Sequence, residues 1–123
     1  MAKILIIDDS PTDVRVFTTL LEGAGHAVSA VSTAEEGVER VRADLPDLVI
    51  MDVIMPGMNG FQATRTLTRD PATATIPIVM ITTKSMETDR VWGLRQGARA
   101  FITKPVKEKE LLACISDLLP SAA

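Results

Sequence analysis

Four stretches of the chain are apolar with little interruption, and each finishes on a polar group. Residues 3–9 read Lys-Ile-Leu-Ile-Ile-Asp-Asp, 47–52 Asp-Leu-Val-Ile-Met-Asp, 76–83 Ile-Pro-Ile-Val-Met-Ile-Thr-Thr and 100–105 Ala-Phe-Ile-Thr-Lys-Pro. Short continuous apolar runs of this kind predict strands buried on both faces. A fifth run, His26 to Val31, alternates and suits a sheet edge. Amphipathic stretches lie between them. Ser10-Pro11 supplies an N-cap and a first-turn proline; Val14, Phe17, Leu21 and Ala24 follow at helical spacing, and Gly23 and Gly25 stop the helix. Thr33-Ala-Glu-Glu36 has the form of a capping box and opens a helix with Ala34, Val38 and Val41 on one face. Pro56-Gly57 and Asn59-Gly60 mark a loop, after which residues 60–69 form a third helix with Phe61, Thr64 and Leu67 turned inward. Ser85 is placed to cap a fourth helix bearing Val91, Trp92 and Leu94, with Val91 expected in the core. Residues 107–119 form the last helix, with Leu111, Leu112, Ile115, Leu118 and Leu119 as its apolar stripe.

Strand and helix therefore alternate five times. Apolar parallel strands need helices on both faces, and right-handed crossovers wind them into an α/β, doubly wound, three-layer sandwich of five strands and five helices. The strand order 2-1-3-4-5 puts the alternating strand at an edge and the three most apolar strands inside. Such sheets bind ligands at the carboxyl ends of the strands, where the order reverses. Here that crevice lies between strands 1 and 3, which end in Asp8, Asp9 and Asp52.

The totals add limits. With 123 residues, 46% of them hydrophobic, the chain makes one domain, residues 1–120, with a short tail at 121–123. No effector domain is expected to follow. A net charge of −3 gives no general attraction to nucleic acid or anionic lipid. No apolar stretch is long enough to insert in a membrane and no signal peptide is visible, which leads to a cytoplasmic expectation. The single cysteine, Cys114, lies in an apolar helical pattern and reads as a packing residue in a reducing compartment.

Three carboxylates in one crevice repel each other, so the cluster either shares protons or binds a cation. An all-oxygen donor set suits Mg²⁺ or Mn²⁺, and the Cys/His sets of zinc sites are missing from the sequence. Such an ion would bridge carboxylate and phosphoryl oxygens, or one carboxylate would itself act as nucleophile and become an aspartyl phosphate. Lys104 would place a point charge on the phosphoryl oxygens, and Thr82 would hydrogen-bond one of them.

With these residues in view, the chain resembles the CheY-like receiver domains of two-component response regulators. The resemblance rests on 4–10 (Ile-Leu-Ile-Ile-Asp-Asp-Ser), 48–60 (Leu-Val-Ile-Met-Asp-Val-Ile-Met-Pro-Gly-Met-Asn-Gly), 80–84 (Met-Ile-Thr-Thr-Lys), Gly97-Ala98 and Lys104-Pro105, and spans nearly the whole chain. It implies a flavodoxin-like layering and a phosphoryl group accepted by Asp52 from a histidine kinase. It also implies a metal site made of Asp8, Asp9, Asp52 and the backbone carbonyl of Ile54, a catalytic Lys104, and a hydroxyl switch at Thr82. A cis peptide is implied at Lys104-Pro105. The family's aromatic switch is often Tyr; here it is Phe101, which can fill space behind Thr82 but offers no hydroxyl. Ile54 and Lys84 occupy the positions that flank an attacking water; the Ile54 side chain cannot orient one, and Lys84 reaches either the phosphoryl group or solvent.

The same resemblance implies an output surface on helix 4, strand 5 and helix 5, with Met86 and Trp92 on it, engaging a downstream protein or motor component. The protein is expected to act as a monomer, with dimerisation through helices 4 and 5 on phosphorylation left open. It is not expected to be an enzyme beyond its own phosphoryl transfer and dephosphorylation. Residues 61–65, 82–84, 87–93 and 95–99 resemble single-domain regulators of pilus chemosensory pathways, which points to chemotaxis or twitching motility. The alternatives are a phosphate sink for a sister regulator and a phosphorylation-independent binding module. Two other classes fit less well. An aspartate-nucleophile phosphatase places two acids two residues apart after strand 1, whereas Asp8 and Asp9 are adjacent. A flavin carrier needs a hydroxyl- or glycine-rich phosphate loop where this chain has Asp-Asp-Ser-Pro.

Overall fold

The computed structural model describes residues 2–119, so the expected tail at 121–123 lies outside the described residues. The elements run β1 (Lys3–Ile7), α1 (Pro11–Gly23), β2 (Ala27–Val31), α2 (Ala34–Asp44), β3 (Leu48–Met51), α3 (Gly60–Arg69), β4 (Ile78–Thr82), α4 (Glu87–Gln96), β5 (Ala100–Thr103) and α5 (Glu108–Leu118). The strands form one sheet in the order β2-β1-β3-β4-β5, and every pairing is parallel. The expected fold and strand order are those observed.

Alternation of side chains along each strand splits the core between two faces. Ile4, Ile6, Leu48, Ile50, Val79 and Ile81 pack on one side with Phe17 and Leu21 of α1 and Leu111 and Ile115 of α5. Leu5, Ile7, Val49, Met51 and Ile78 pack on the other with Val38 and Val41 of α2 and Ala63 and Leu67 of α3. A smaller cluster, Val53, Met80 and Ala98 with the half-buried Phe61 and Phe101, continues this second face toward α4. Strands β3 and β4 are buried at every residue, while β2 buries only Val31, as its edge position requires.

Local sequence sets the helix starts. Ser10 Oγ accepts from the Asp13 N–H, and Pro11 occupies the first turn. Thr33 Oγ1 accepts from the Glu36 N–H, one half of the expected box. A reciprocal capping box forms instead at α3, where Asn59 and Gln62 exchange side-chain to backbone bonds of 3.0 and 2.9 Å. Asn59, read from sequence as part of a loop, is thus the N-cap of this helix, which begins at Gly60 as expected. Two expectations for α4 are corrected. Ser85 does not cap it: the N-cap position is Met86, which makes no side-chain cap bond. Val91 is not in the core but 41% exposed, because α4 turns Gly93 toward the sheet. Successive residues are rotated by about 100°, so a residue two places from the inward one faces almost directly away. The Lys104-Pro105 peptide is cis.

Candidate functional site

The carboxyl ends of β1 and β3 stop one residue short of Asp8 and Asp52, and the sheet carries both to the crevice where strand order reverses. Register fixes their level. Ile7 pairs with Met51, and the Asp52 N–H donates to the Ile7 carbonyl at 2.9 Å. Asp8 and Asp52 are buried and Asp9 is exposed. One carboxylate oxygen from each of Asp8, Asp9 and Asp52 falls within 4.8 Å of the others. This is a set of hard oxygen donors with one open side, the kind that holds Mg²⁺ or Mn²⁺ with water completing the shell.

Backbone donors fix the two buried acids. Asp52 Oδ1 accepts from the Val53 N–H at 2.8 Å and faces the Ile54 N–H at 3.4 Å. Asp8 Oδ1 accepts from the Ser10 N–H at 2.9 Å. Each keeps its Oδ2 turned toward Lys104. Beyond Asp52 the chain bends back so tightly that a Cβ on Gly60 would collide with the Asp52 carbonyl, so glycine is required where α3 begins.

Lys104, one residue beyond β5, is anchored by its own N–H to the Thr82 carbonyl at 2.8 Å. Its ammonium lies 2.7 Å from Asp13 Oδ2, 2.9 Å from Asp8 Oδ2 and 3.5 Å from Asp52 Oδ2. Burial alone would lower its pKa, but hydrogen bonds to Asp13 and Asp8 and the charges of Asp52 and Asp8 more than offset that, and it titrates above its ordinary value. For Asp8, burial dominates and raises the pKa, assisted by the Asp52 charge and opposed by the Ser10 N–H and Lys104. Asp8, Asp9, Asp13 and Asp52 face the single positive charge of Lys104, an excess of negative charge that fits a divalent cation.

Thr82 is fully buried at the end of β4, and its Oγ1 accepts from the Lys84 N–H at 3.3 Å. Phe101, across the β4–β5 pair from Met80, is half-buried in the small cluster beside α4. Ile54 is 54% exposed, and its backbone N–H faces Asp52 Oδ1. Met86, at the N-cap of α4, and Trp92, within it, are exposed. The Lys84 ammonium pairs with Asp89 at 3.3 Å. Sequence reasoning also missed Asp13, the nearest carboxylate to Lys104. It lies in the first turn of α1, three residues after the Ser10 cap, where an acid is also what the helix dipole favours.

The response regulator receiver domain model matches residues 4–116. Protein PilH of Pseudomonas aeruginosa is 53% identical over 119 residues, covering 97% of this chain and 98% of that protein. Response regulator PleD of Caulobacter vibrioides is 38% identical over 117 residues, 95% of this chain but 26% of PleD. Among solved structures, chemotaxis protein CheY4 of Vibrio cholerae superposes with a TM-score of 0.89 at 28% identity, over 97% of this chain and 99% of that one. The receiver domain of sensor histidine kinase PA1611 from Pseudomonas aeruginosa, solved with a magnesium ion coordinated in its active site cleft, gives 0.89 at 26% identity over 98% of both chains. The fold, the acidic crevice at its switch point and these likenesses agree: the chain belongs to the response regulator receiver domain family.

Proposed function

We propose that Asp52 accepts a phosphoryl group from a phosphohistidine of a histidine kinase. The observation that carries this reading is the position of Asp52: a buried carboxylate at the end of β3, with its Oδ2 toward the Lys104 ammonium and within 4.8 Å of oxygens from Asp8 and Asp9. In the transfer, an Asp52 oxygen forms the new P–O bond as the P–N bond to the histidine breaks, and the departing imidazole nitrogen takes a proton. The Val53 N–H holds Oδ1, which leaves Oδ2 to attack. Lys104 stabilises charge on the transferring oxygens, with Asp13 and Asp8 keeping it protonated. Asp8, Asp9, Asp52 and the Ile54 carbonyl would hold Mg²⁺ (or Mn²⁺), which when bound neutralises phosphoryl charge.

The phosphoryl group brings new acceptor oxygens. Thr82 Oγ1 donates to one of them, and Phe101 moves into the space that Thr82 leaves, which reshapes the face of α4, β5 and α5. That face carries Met86 and Trp92 and engages a downstream protein. The Ile54 side chain offers no hydrogen bond to an attacking water, so hydrolysis of the aspartyl phosphate lacks that source of positioning. The likeness to PilH and to pilus chemosensory regulators supports a place in twitching motility or a related chemotaxis-type pathway.

Acetyl phosphate with Mg²⁺, read by intact mass, tests the reading. One phosphoryl group on the wild type and none on Asp52→Asn is expected. Equal labelling of both, or labelling indifferent to chelation of Mg²⁺, overturns it.

A further inference from the structure

Residues 83–90 leave the end of β4 and build the first turn of α4, and all of them are exposed except Lys84 and Asp89. These two are paired at 3.3 Å, with side chains 34% and 18% exposed. The turn has little else to hold it. Met86 provides no side-chain cap, and the Asp89 and Arg90 N–H groups bond only to the Met86 carbonyl, within the turn itself. At its other end, Lys84 is fastened to the site, because its N–H donates to Thr82 Oγ1. A chain of polar contacts therefore runs from the Thr82 hydroxyl through Lys84 to Asp89 in α4.

Met51 pairs with Met80, so Thr82 stands one step beyond the level of Asp52 at the same end of the sheet. A lysine side chain rooted two residues further on can extend back over that end. Its ammonium is instead paired with Asp89. Lys104 is already shared by three carboxylates, so Lys84 is a second ammonium that the site does not yet use.

We propose that Asp89 is a positioning residue that holds Lys84 off the phosphoryl group of Asp52, and that Lys84 exchanges Asp89 for phosphoryl oxygens when Asp52 is phosphorylated. This rests on Asp52 being the phosphoacceptor. The exchange follows from relative charge: a phosphoryl group carries more negative charge and more acceptor oxygens than one carboxylate, and a partly solvated ion pair yields easily. Movement of Thr82 Oγ1 toward the phosphoryl group also takes away the acceptor of the Lys84 N–H, so both ends of the link are released together. The first turn of α4 then loses the Lys84–Asp89 tether to the β4 end. Because Asp89 competes for the ammonium, its removal raises the fraction of molecules with Lys84 free to bind the phosphoryl group, and affinity rises in proportion.

The test is a titration with beryllofluoride and Mg²⁺ followed by the fluorescence of Trp92, three residues beyond Asp89. Asp89→Asn is expected to tighten binding about two- to fivefold, the range that such an ion pair supplies. Lys84→Met weakens binding, Asp89→Asn has no further effect in that background, and Asp89→Glu restores the wild-type value. A purely structural role for Asp89 would not depend on Lys84. Unchanged binding in Asp89→Asn, or a change that persists in the double variant, overturns the proposal while leaving Asp52 as acceptor. A wild type that binds no beryllofluoride overturns both.

Discussion

Residues 8, 13, 52 and 104 show how charge shapes this site. Burial raises the Asp8 pKa above its ordinary value of 3.8 despite the Ser10 N–H and Lys104. The folded protein then holds the Asp8 proton more tightly than the unfolded chain, so Asp8 takes stability away as pH rises above 3.8. Without divalent cations, Asp8→Asn should therefore melt at a higher temperature than wild type at neutral pH. The difference should shrink as pH falls toward 4, and the stabilisation by Mg²⁺ should be reduced or lost. Thermal melts in chelator and in Mg²⁺ check this. Gly60 is a second residue of this kind: a Cβ there meets the backbone at Asp52 and Val53, so Gly60→Ala should cost about 1–3 kcal/mol, read from a urea midpoint. Thr64 works in the other sense. Its buried hydroxyl has no hydrogen-bond partner among the described residues, so Thr64→Val should stabilise by about 1 kcal/mol. Asp8, Asp9, Asp52, Thr82 and Lys104 were legible in the sequence because each directly follows or ends an apolar run. Asp13 was not, because an acid in a first helical turn is also what the helix dipole favours and so carries no separate signal.

The elements were legible where burial and periodicity agree. The continuous runs of β1, β3 and β4 are buried on both faces, and the amphipathic stripes of α1 and α5 point to the core through Phe17, Leu21, Leu111 and Ile115. Helix α4 breaks the correspondence. It approaches the sheet through Gly93, where an added Cβ would meet Met80 Sδ at 2.7 Å and the Phe101 ring at 3.0 Å, and it leaves Val91, Trp92 and Leu94 outside. A helix that packs on a glycine has no apolar stripe to announce its inner face. Its far end is tied to α3 by Thr68 Oγ1, which donates to the Gln96 carbonyl at 2.7 Å. Val91→Ala should accordingly change stability by no more than about 0.5 kcal/mol. Leu21→Ala, fully buried in α1, should cost about 2–5 kcal/mol. Urea denaturation of the two variants separates an exposed helix face from a core one. The shallow seating of α4 also suits an element that moves.

At the scale of the whole molecule, the sheet order does most to locate function. Placing β1 and β3 side by side brings together acids from residues 8, 9 and 52, and the β4–β5 pair sets Thr82 and Lys104 beside them. Strand order was legible because only one edge candidate alternates. The partner set of Lys84 was not, since it depends on how a loop and a helical turn fold back on each other. Among the described residues no helix is long and apolar enough to cross a membrane. Asp52 alone among the acids of the crevice is proposed to become an acyl phosphate. Borohydride reduction after treatment with acetyl phosphate and Mg²⁺ converts such an aspartate to homoserine, which peptide mass spectrometry locates. Homoserine at position 52, lost when Mg²⁺ is chelated, is the result expected here; homoserine at 8, 9 or 13, or at no position, would contradict it.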